Sequence, residues 1–431
     1  MPKLIRLTVP EINEERAAVL QAMNNPDIPF VFLTGKAGTG KSTLLRYFMQ
    51  SLEKKPVLLS PTGVAAVNIK GATIHSFFKL PVRSFTLEDM FPLEEELFKS
   101  FDTLIIDEVS MVRSDLMYVI DRSLRSSGDK LNRRIPFGGK KVIVMGDLCQ
   151  LAPVVRKEDV LFKRFLENAR GEYFFDSPLM PSSTLDSFEL QTVFRQKDGA
   201  FIQALNSIRY GEKSAVTLQF LNQAVHREAD ESVIRLCTRN ADVATRNAQG
   251  FEQLKGKAYI FEAEKEGEAP RDLLVPERLE LKVGCRVMLC ANVMEEGKPY
   301  FSNGELGTVR DIDLLRGIVH VKKDNGDEVD VRRFAYKNLS YDIDKKTGSL
   351  EQSEKGSLRQ YPLKLAYAIS IHKSQGVTLE RAHIDLGQGC FAHGQLYVAL
   401  SRIKSFEGLS LERAIRPSDI IMDRRIKELY Q

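Results

Sequence analysis

Phe30-Val31-Phe32-Leu33-Thr34-Gly35-Lys36-Ala37-Gly38-Thr39-Gly40-Lys41-Ser42-Thr43-Leu44 decides the fold class. Four apolar residues run without interruption, as in a strand buried on both faces. The turn that follows fits G-x-x-x-x-G-K-[ST], and residues 42–51 then read as a helix. Glycines at 35, 38 and 40 allow left-handed backbone, so successive N–H groups can surround a phosphate. The helix that starts there adds its positive end. Gly35, Lys36, Ala37, Gly38, Thr39, Gly40, Lys41, Ser42 and Thr43 are therefore the expected nucleotide contacts. Lys41 should reach the β- and γ-phosphates, with Ser42 on a Mg²⁺ ion.

Strand, loop and helix in that order open an α/β domain with a parallel sheet. Residues 11–25 precede it as an amphipathic helix ended by Asn24-Asn25-Pro26. Further buried strands are expected at 56–59, 103–106 and 142–145, each followed by polar residues at the ligand edge of such a sheet. A second α/β unit is expected from about residue 184, with strands at 232–237 and 383–386. Between these the texture alternates, and Asn303-Gly304 and Asn325-Gly326 supply hairpin turns. This predicts a small β-barrel inserted at about 277–361, with residues 341–360 as a polar connector.

Composition narrows the class less sharply. The chain has 431 residues, 43% hydrophobic and 28% charged, with a net charge of +4. That is ordinary globular protein, large enough for two to four domains. No apolar run of about 18 residues appears, so no membrane span is expected. The first ten residues lack a signal-peptide core, which points to an intracellular protein. Cys149, Cys237, Cys285, Cys290 and Cys390 are scattered and read as reduced thiols rather than a metal site.

Thr103-Leu104-Ile105-Ile106-Asp107-Glu108 is the expected companion of the phosphate loop. Asp107 can hold Mg²⁺ through its water shell, and Glu108 can deprotonate an attacking water. Alone, such a pair would read as a solvated loop; behind a phosphate loop the balance reverses. Val142 to Val154 reads Val-Ile-Val-Met-Gly-Asp-Leu-Cys-Gln-Leu-Ala-Pro-Val, a strand running into a turn that carries Gln150. Gln150 is either a turn amide or a sensor of the γ-phosphate.

The stretch Gly146-Asp147-Leu148-Cys149-Gln150-Leu151-Ala152-Pro153-Val154 resembles motif III of superfamily-one helicases. Ala366 to Leu379, which contains Ile371-His372-Lys373-Ser374-Gln375-Gly376, resembles motif V. Gln395-Leu396-Tyr397-Val398-Ala399-Leu400-Ser401-Arg402 resembles motif VI, and Phe194-Arg195-Gln196 resembles part of motif IV. More narrowly, Pro61-Thr62-Gly63-Val64-Ala65-Ala66-Val67-Asn68-Ile69, Thr73-Ile74-His75-Ser76-Phe77-Phe78 and the segment 115–139 resemble the petite-integration-frequency (Pif) helicases.

The resemblance implies an ATP-dependent 5′→3′ motor on single-stranded and forked duplex DNA, needing Mg²⁺ and acting as a monomer. It implies two RecD/RecA-like motor domains, 1A (1–67 and 97–183) and 2A (184–276 and 362–431). A wedge element 1B (68–96) and a Src-homology-type barrel 2B (277–361) complete the set. Catalytic roles fall to Lys41, Glu108, Gln150, Arg195 and Arg402, with Gly376 at the nucleotide and Asp107 on the metal. ATP is expected to close the motor domains around Arg195 and Arg402. The DNA track would use Pro61, Thr62, His75, Phe77, Pro153, Val154, His372, Lys373 and Ser374. Of Phe77 and Phe78, at most one is expected to touch DNA. A minimal, bacterial form is implied, hence a cytoplasmic, nucleoid-associated protein. One departure stands out: the family places a glutamine after Asn-x-Glu to read adenine, whereas here Asn13-Glu14-Glu15 precedes Arg16. An RNA-directed motor, a phosphate-loop switch protein and a nucleic-acid-binding module with a vestigial site are the competing readings.

Overall fold

The computed structural model describes residues 13–81, 90–155, 159–180, 186–192, 198–227, 233–270, 273–295, 298–344 and 346–430. The chain divides into two compact units. The first comprises residues 1–148, 153–195 and 339–354; the second comprises 149–152, 196–338 and 355–431.

The first unit is built on six parallel strands: β1 Phe30–Gly35, β2 Val57–Ser60, β3 Ala72–Thr73, β4 Thr103–Ile106, β5 Lys141–Met145 and β6 Asp186–Leu190. Their order is β3-β2-β4-β5-β1-β6. All six residues of β1 are buried. Successive side chains leave opposite faces of a strand, and both faces are covered. Val31 and Leu33 pack with Val19 and Met23 of helix α1 (Glu14–Asn24) and with Leu44, Leu45 and Phe48 of helix α2 (Lys41–Met49). Phe30 stacks on Phe137 at 5.6 Å, and Phe32 meets Phe174 edge-on at 5.4 Å. The Lys141 ammonium donates to the carbonyls of Ala22, Asn25 and Ile28 at 2.8, 2.8 and 2.6 Å, which ties the end of α1 and the chain leading to β1 to the start of β5.

Strand β6 corrects the expected boundary near residue 184. Asp186–Leu190 pairs in parallel with β1, so the first sheet continues past that point. Likewise β3, inside the expected wedge segment 68–96, pairs with β2 and belongs to the same sheet.

The second unit contains a four-stranded parallel sheet in which Arg235–Cys237 lies between Ala368–Ser370 and Ala382–Asp385, with Leu409–Leu411 at the edge. It also contains a five-stranded antiparallel sheet of Arg286–Leu289, Leu306–Asp313, Ile318–Lys323, Glu328–Val331 and Leu363–Leu365. Asn303-Gly304 and Asn325-Gly326 stand at turns between its strands, and both glycines have positive φ. The expected connector at 341–360 is instead mostly strand, Leu350–Gln360, paired with Phe334–Ile343 and Glu264–Gly267.

The tip of that hairpin, residues 339–354, groups with the first unit. Leu58 N–H donates to the Tyr341 hydroxyl at 2.9 Å, the Tyr341 ring meets Phe77 edge-on at 5.7 Å, and Gln352 donates to the Lys70 carbonyl at 2.8 Å. All five cysteines are free; four are buried, and Cys390 is partly buried. Among the described residues no helix is long and apolar enough to cross a membrane.

Candidate active site and nucleic-acid track

Every element of the phosphate loop falls at the C-terminal end of β1. Gly35 has φ 145°, and a Cβ there would stand 2.7 Å from the Leu190 carbonyl of β6, so no larger residue fits without displacing that strand. Gly38 and Gly40 have φ 83° and 82°, the left-handed geometry that points backbone N–H groups inward. Lys41 opens α2, and its ammonium donates to the Gly35 and Lys36 carbonyls at 2.6 and 3.1 Å. Ser42 and Thr43 are exposed in the first turn of α2.

Arg16, the residue that departs from the family pattern, is buried beside this loop. It donates to the Thr39 carbonyl at 3.4 Å, and a Cβ on Gly40 would lie 3.0 Å from its guanidinium. Its backbone N–H is capped by Asn13 at 3.0 Å, which starts α1 here. Arg16 thus stands where the family pattern has a glutamine, and its place against the phosphate loop is not evident from that pattern. An arginine at the first turn of a helix packed on that loop is the signal that could have shown it.

Asp107 and Glu108 follow β4 directly. Glu108 adopts φ 53°, and its N–H donates to the Asp107 carboxylate at 2.8 Å. Burial, with the neighbouring Glu108 charge second, pushes the Asp107 carboxyl up to about 7; the Lys41 ammonium pulls the other way. That Lys41 acts on Asp107 brings phosphate loop and carboxylates into one site. The end of β5 closes on them: a Cβ on Gly146 would meet the Val109 and Ser110 backbone nitrogens at 3.1 and 3.2 Å. Asp147, next in line, is buried.

Gln150 is buried and belongs, with residues 149–152, to the second unit. It accepts a hydrogen bond from Gln375 at 3.4 Å. Motifs III and V therefore meet side chain to side chain, through a glutamine that motif reading quoted without giving it a role. Gly376 is exposed with φ 81°. Arg402 is buried at the end of the helix Gln395–Ser401, donating to the Val398 carbonyl at 3.1 Å and to the Ser401 hydroxyl at 2.8 Å. Arg195 lies outside the described residues.

The expected track residues separate into two groups. Thr62 caps the helix α3 (Gly63–Ile69), its hydroxyl oxygen accepting from Ala65 N–H at 3.3 Å, and Pro61 and Thr62 are half-buried. His75 sits in the short helix α4 (Ile74–Phe77). Burial, reinforced by the Arg113 charge, lowers its pKa, so it is a neutral imidazole at pH 7. Arg113 is itself held by Asp115 and, at 2.7 Å, by Asp159, and lies over the Phe162 ring at 4.1 Å. Val154 is 57% exposed and Lys373 is exposed. His372 is half-buried, its pKa lowered by burial, and its ring stacks with the exposed Phe391 at 6.1 Å.

Three expectations are corrected. Phe77 is buried with Phe78, Phe101 and Tyr341 around it, so it is core and offers no face to a base. Ser374 is fully buried, and its hydroxyl donates to the Ile371 carbonyl at 2.8 Å, closing a turn rather than facing a phosphate. Pro153 is buried, leaving Val154 as the exposed member of that pair.

The sequence model of the PIF1-like helicase family matches residues 11–217. The chain is 31% identical to the ATP-dependent DNA helicase Pif1 of Bdellovibrio bacteriovorus, over 98% of this chain and 92% of that protein. It is 33% identical to human ATP-dependent DNA helicase PIF1 over 98% of this chain, and it spans 64% of that protein's length. The crystal structure of Bacteroides sp Pif1 in complex with ADP-AlF4 superposes with a TM-score of 0.84 at 33% identity, covering 97% of this chain and 96% of that one. Taken with the phosphate loop, the paired carboxylates and the two α/β units, these similarities show that the chain belongs to the PIF1-like family of ATP-dependent DNA helicases.

Proposed function

We propose that this chain couples ATP hydrolysis to 5′→3′ movement along single-stranded DNA and opens forked duplexes ahead of it. The observation that carries the reading is the parallel order β4-β5-β1, which sets the Asp107–Glu108 pair and the phosphate loop at the same sheet edge on either side of β5. Lys41 binds the β- and γ-phosphates. Glu108 takes a proton from the water that attacks the γ-phosphorus as the bond to the β,γ-bridging oxygen breaks. Gln150 senses the γ-phosphate and passes its state to Gln375 and the track residues beside it. Arg195 and Arg402 supply positive charge to the transferring phosphoryl group.

The donor set suits Mg²⁺. Asp107 shares its turn with a second carboxylate and is short of positive charge, and Ser42 presents an exposed hydroxyl. When bound with the nucleotide, the ion neutralises phosphate charge.

The five-stranded antiparallel sheet of the second unit is read as the Src-homology-type barrel 2B, and the segment following β3 as the wedge 1B. The DNA partners are supported by relatives: one Bacteroides Pif1 structure is bound to single-stranded DNA, and another concerns unwinding of forked duplex by two coordinating Pif1 helicases. The test is ATP hydrolysis with and without single-stranded DNA, together with unwinding of tailed duplexes. Stimulated hydrolysis and opening of a 5′-tailed duplex alone are expected. Opening of the 3′-tailed duplex alone overturns the polarity; vigorous DNA-stimulated hydrolysis without strand separation overturns the helicase reading. Hydrolysis indifferent to DNA favours a switch protein.

A further inference from the structure

Within the second unit a cavity of about 790 Å³ lies between the helix Asn240–Gln253 and the strands Leu363–Leu365 and Ala368–Ser370. It is large enough for a nucleotide. One end is basic. Lys364 lines it with 9% of its surface exposed, and among the described residues no hydrogen bond or ion pair holds its ammonium. Lys373 lines the same cavity, close enough for the two charges to repel.

Topology explains part of this arrangement. Ser370 is the parallel partner of Cys237, and the chain after Cys237 enters the helix at Asn240. Ser370, Lys373 and the first turn of that helix therefore share the C-terminal edge of the sheet, the ligand edge of parallel folds. Among the described residues no side chain caps that first turn, and Asn240 and Val243 line the cavity. The positive end of this 14-residue helix opens on the cavity that Lys364 and Lys373 also line. The remaining wall is largely apolar, with Ala248 and Val275 among its residues.

Lys364 is nine-tenths buried, and that burial together with the charge of Lys373 lowers its pKa. Glu252 and Glu280 also line the cavity, but neither forms an ion pair with Lys364; Glu280 pairs with Arg278. An anion supplies what the site lacks.

We propose that this cavity is a second nucleotide site, remote in sequence from the phosphate loop. In it a nucleotide 5′-phosphate meets Lys364, Lys373 and the helix end, and the base lies on the apolar wall. The nucleotide can belong to a bound strand or be a free mononucleotide; the strand source rests on the DNA-motor reading, and the free source does not.

The experiment uses the full chain carrying Lys41→Ala, so that the phosphate loop does not dominate nucleotide binding. Titrations with thymidine 5′-monophosphate and with oligothymidylate over a salt series are compared in that parent, in Lys364→Gln and in Ala248→Phe, which fills the cavity without touching its charge. If free nucleotide is the ligand, the monophosphate binds the parent and weakens at least tenfold in both variants. If the strand is the ligand, oligothymidylate weakens in both, and in Lys364→Gln the slope of log K against log salt shrinks by about 0.7, one phosphate's worth.

Melting temperature guards against misfolding: Lys364→Gln removes a positive charge that Lys373 repels and should melt no lower than its parent. Monophosphate that does not bind, with oligothymidylate affinity and slope unchanged in both variants, overturns the proposal. DNA-stimulated hydrolysis in the chain with Lys41 intact would then leave the motor reading standing. Binding of monophosphate without any binding of oligothymidylate would uphold the cavity and sink the motor.

Discussion

Asp107 makes a pH-dependent prediction at the scale of one residue. Its carboxyl is pushed up to about 7 by burial and by Glu108, so near neutrality a proton and a divalent cation compete for it. Apparent Mg²⁺ affinity in the presence of ADP should therefore fall as pH drops through about 7, with close to one proton released on binding near pH 6 and progressively less as pH rises past 7. Calorimetry in buffers of different ionisation enthalpy counts that proton. Stability follows the same sign. The folded value lies above the ordinary 3.8, so the contribution of the protonated form is full below 3.8 and is lost as pH rises through about 7. Asp107→Asn should flatten that part of the stability profile. A variant that leaves both proton release and the profile unchanged would remove Asp107 from the cation site.

Elements show where the sequence could be read and where it could not. The phosphate loop, the Asp107–Glu108 pair and the strands at 103–106 and 141–145 follow from apolar runs ending in polar turns, because a buried parallel strand needs that pattern. The strand Leu350–Gln360 was illegible. Its residues 351–355 are mostly exposed on both faces, so no alternation of apolar and polar marks it, and pairing on either side makes it a strand. Strand β6 extends the first sheet past the expected boundary for a related reason: it is an exposed edge whose partner, β1, lies some 150 residues away, and no local signal names that partner. Phe77 shows the limit for single residues, since Phe77 and Phe78 are equally aromatic and only packing shows that both are buried.

The cap on α3 yields a prediction at this scale. Thr62 both caps a helix and stands on the expected DNA track. Thr62→Ala should cost about 1 kcal/mol of stability from the lost cap. Thr62→Asp keeps a capping oxygen and favours the helix dipole, yet places negative charge where phosphate is expected. A folded Thr62→Asp protein with single-stranded DNA affinity reduced at least tenfold is the expected result. Unchanged affinity would confine Thr62 to its structural role.

At the scale of the whole molecule, two units each built on its own parallel sheet need not unfold together. The phosphate loop and the Asp107–Glu108 pair lie in the first. Saturation with Mg²⁺-ADP at a hundredfold excess over Kd should stabilise that unit by about 2.7 kcal/mol and leave a transition of the second unit in place. Scanning calorimetry resolves the two, and Lys41→Ala should abolish the shift. A single transition that moves as one body would show that the chain folds as a single cooperative unit.

The five thiols bear on how such a protein can be watched at work. Burial pushes Cys237 up to about 12 and Cys290 up to about 11, and raises Cys285. Even the partly buried Cys390 is pushed up to about 12, with the Asp419 charge adding to its burial. Maleimides attack the thiolate, which these four side chains scarcely populate at pH 7, and Cys149 is fully buried. The native chain should therefore stay dark to a maleimide dye for as long as it is folded. A new cysteine on an exposed residue of the hairpin tip, such as Glu351, would then take a fluorophore against an unlabelled background, with every natural thiol kept.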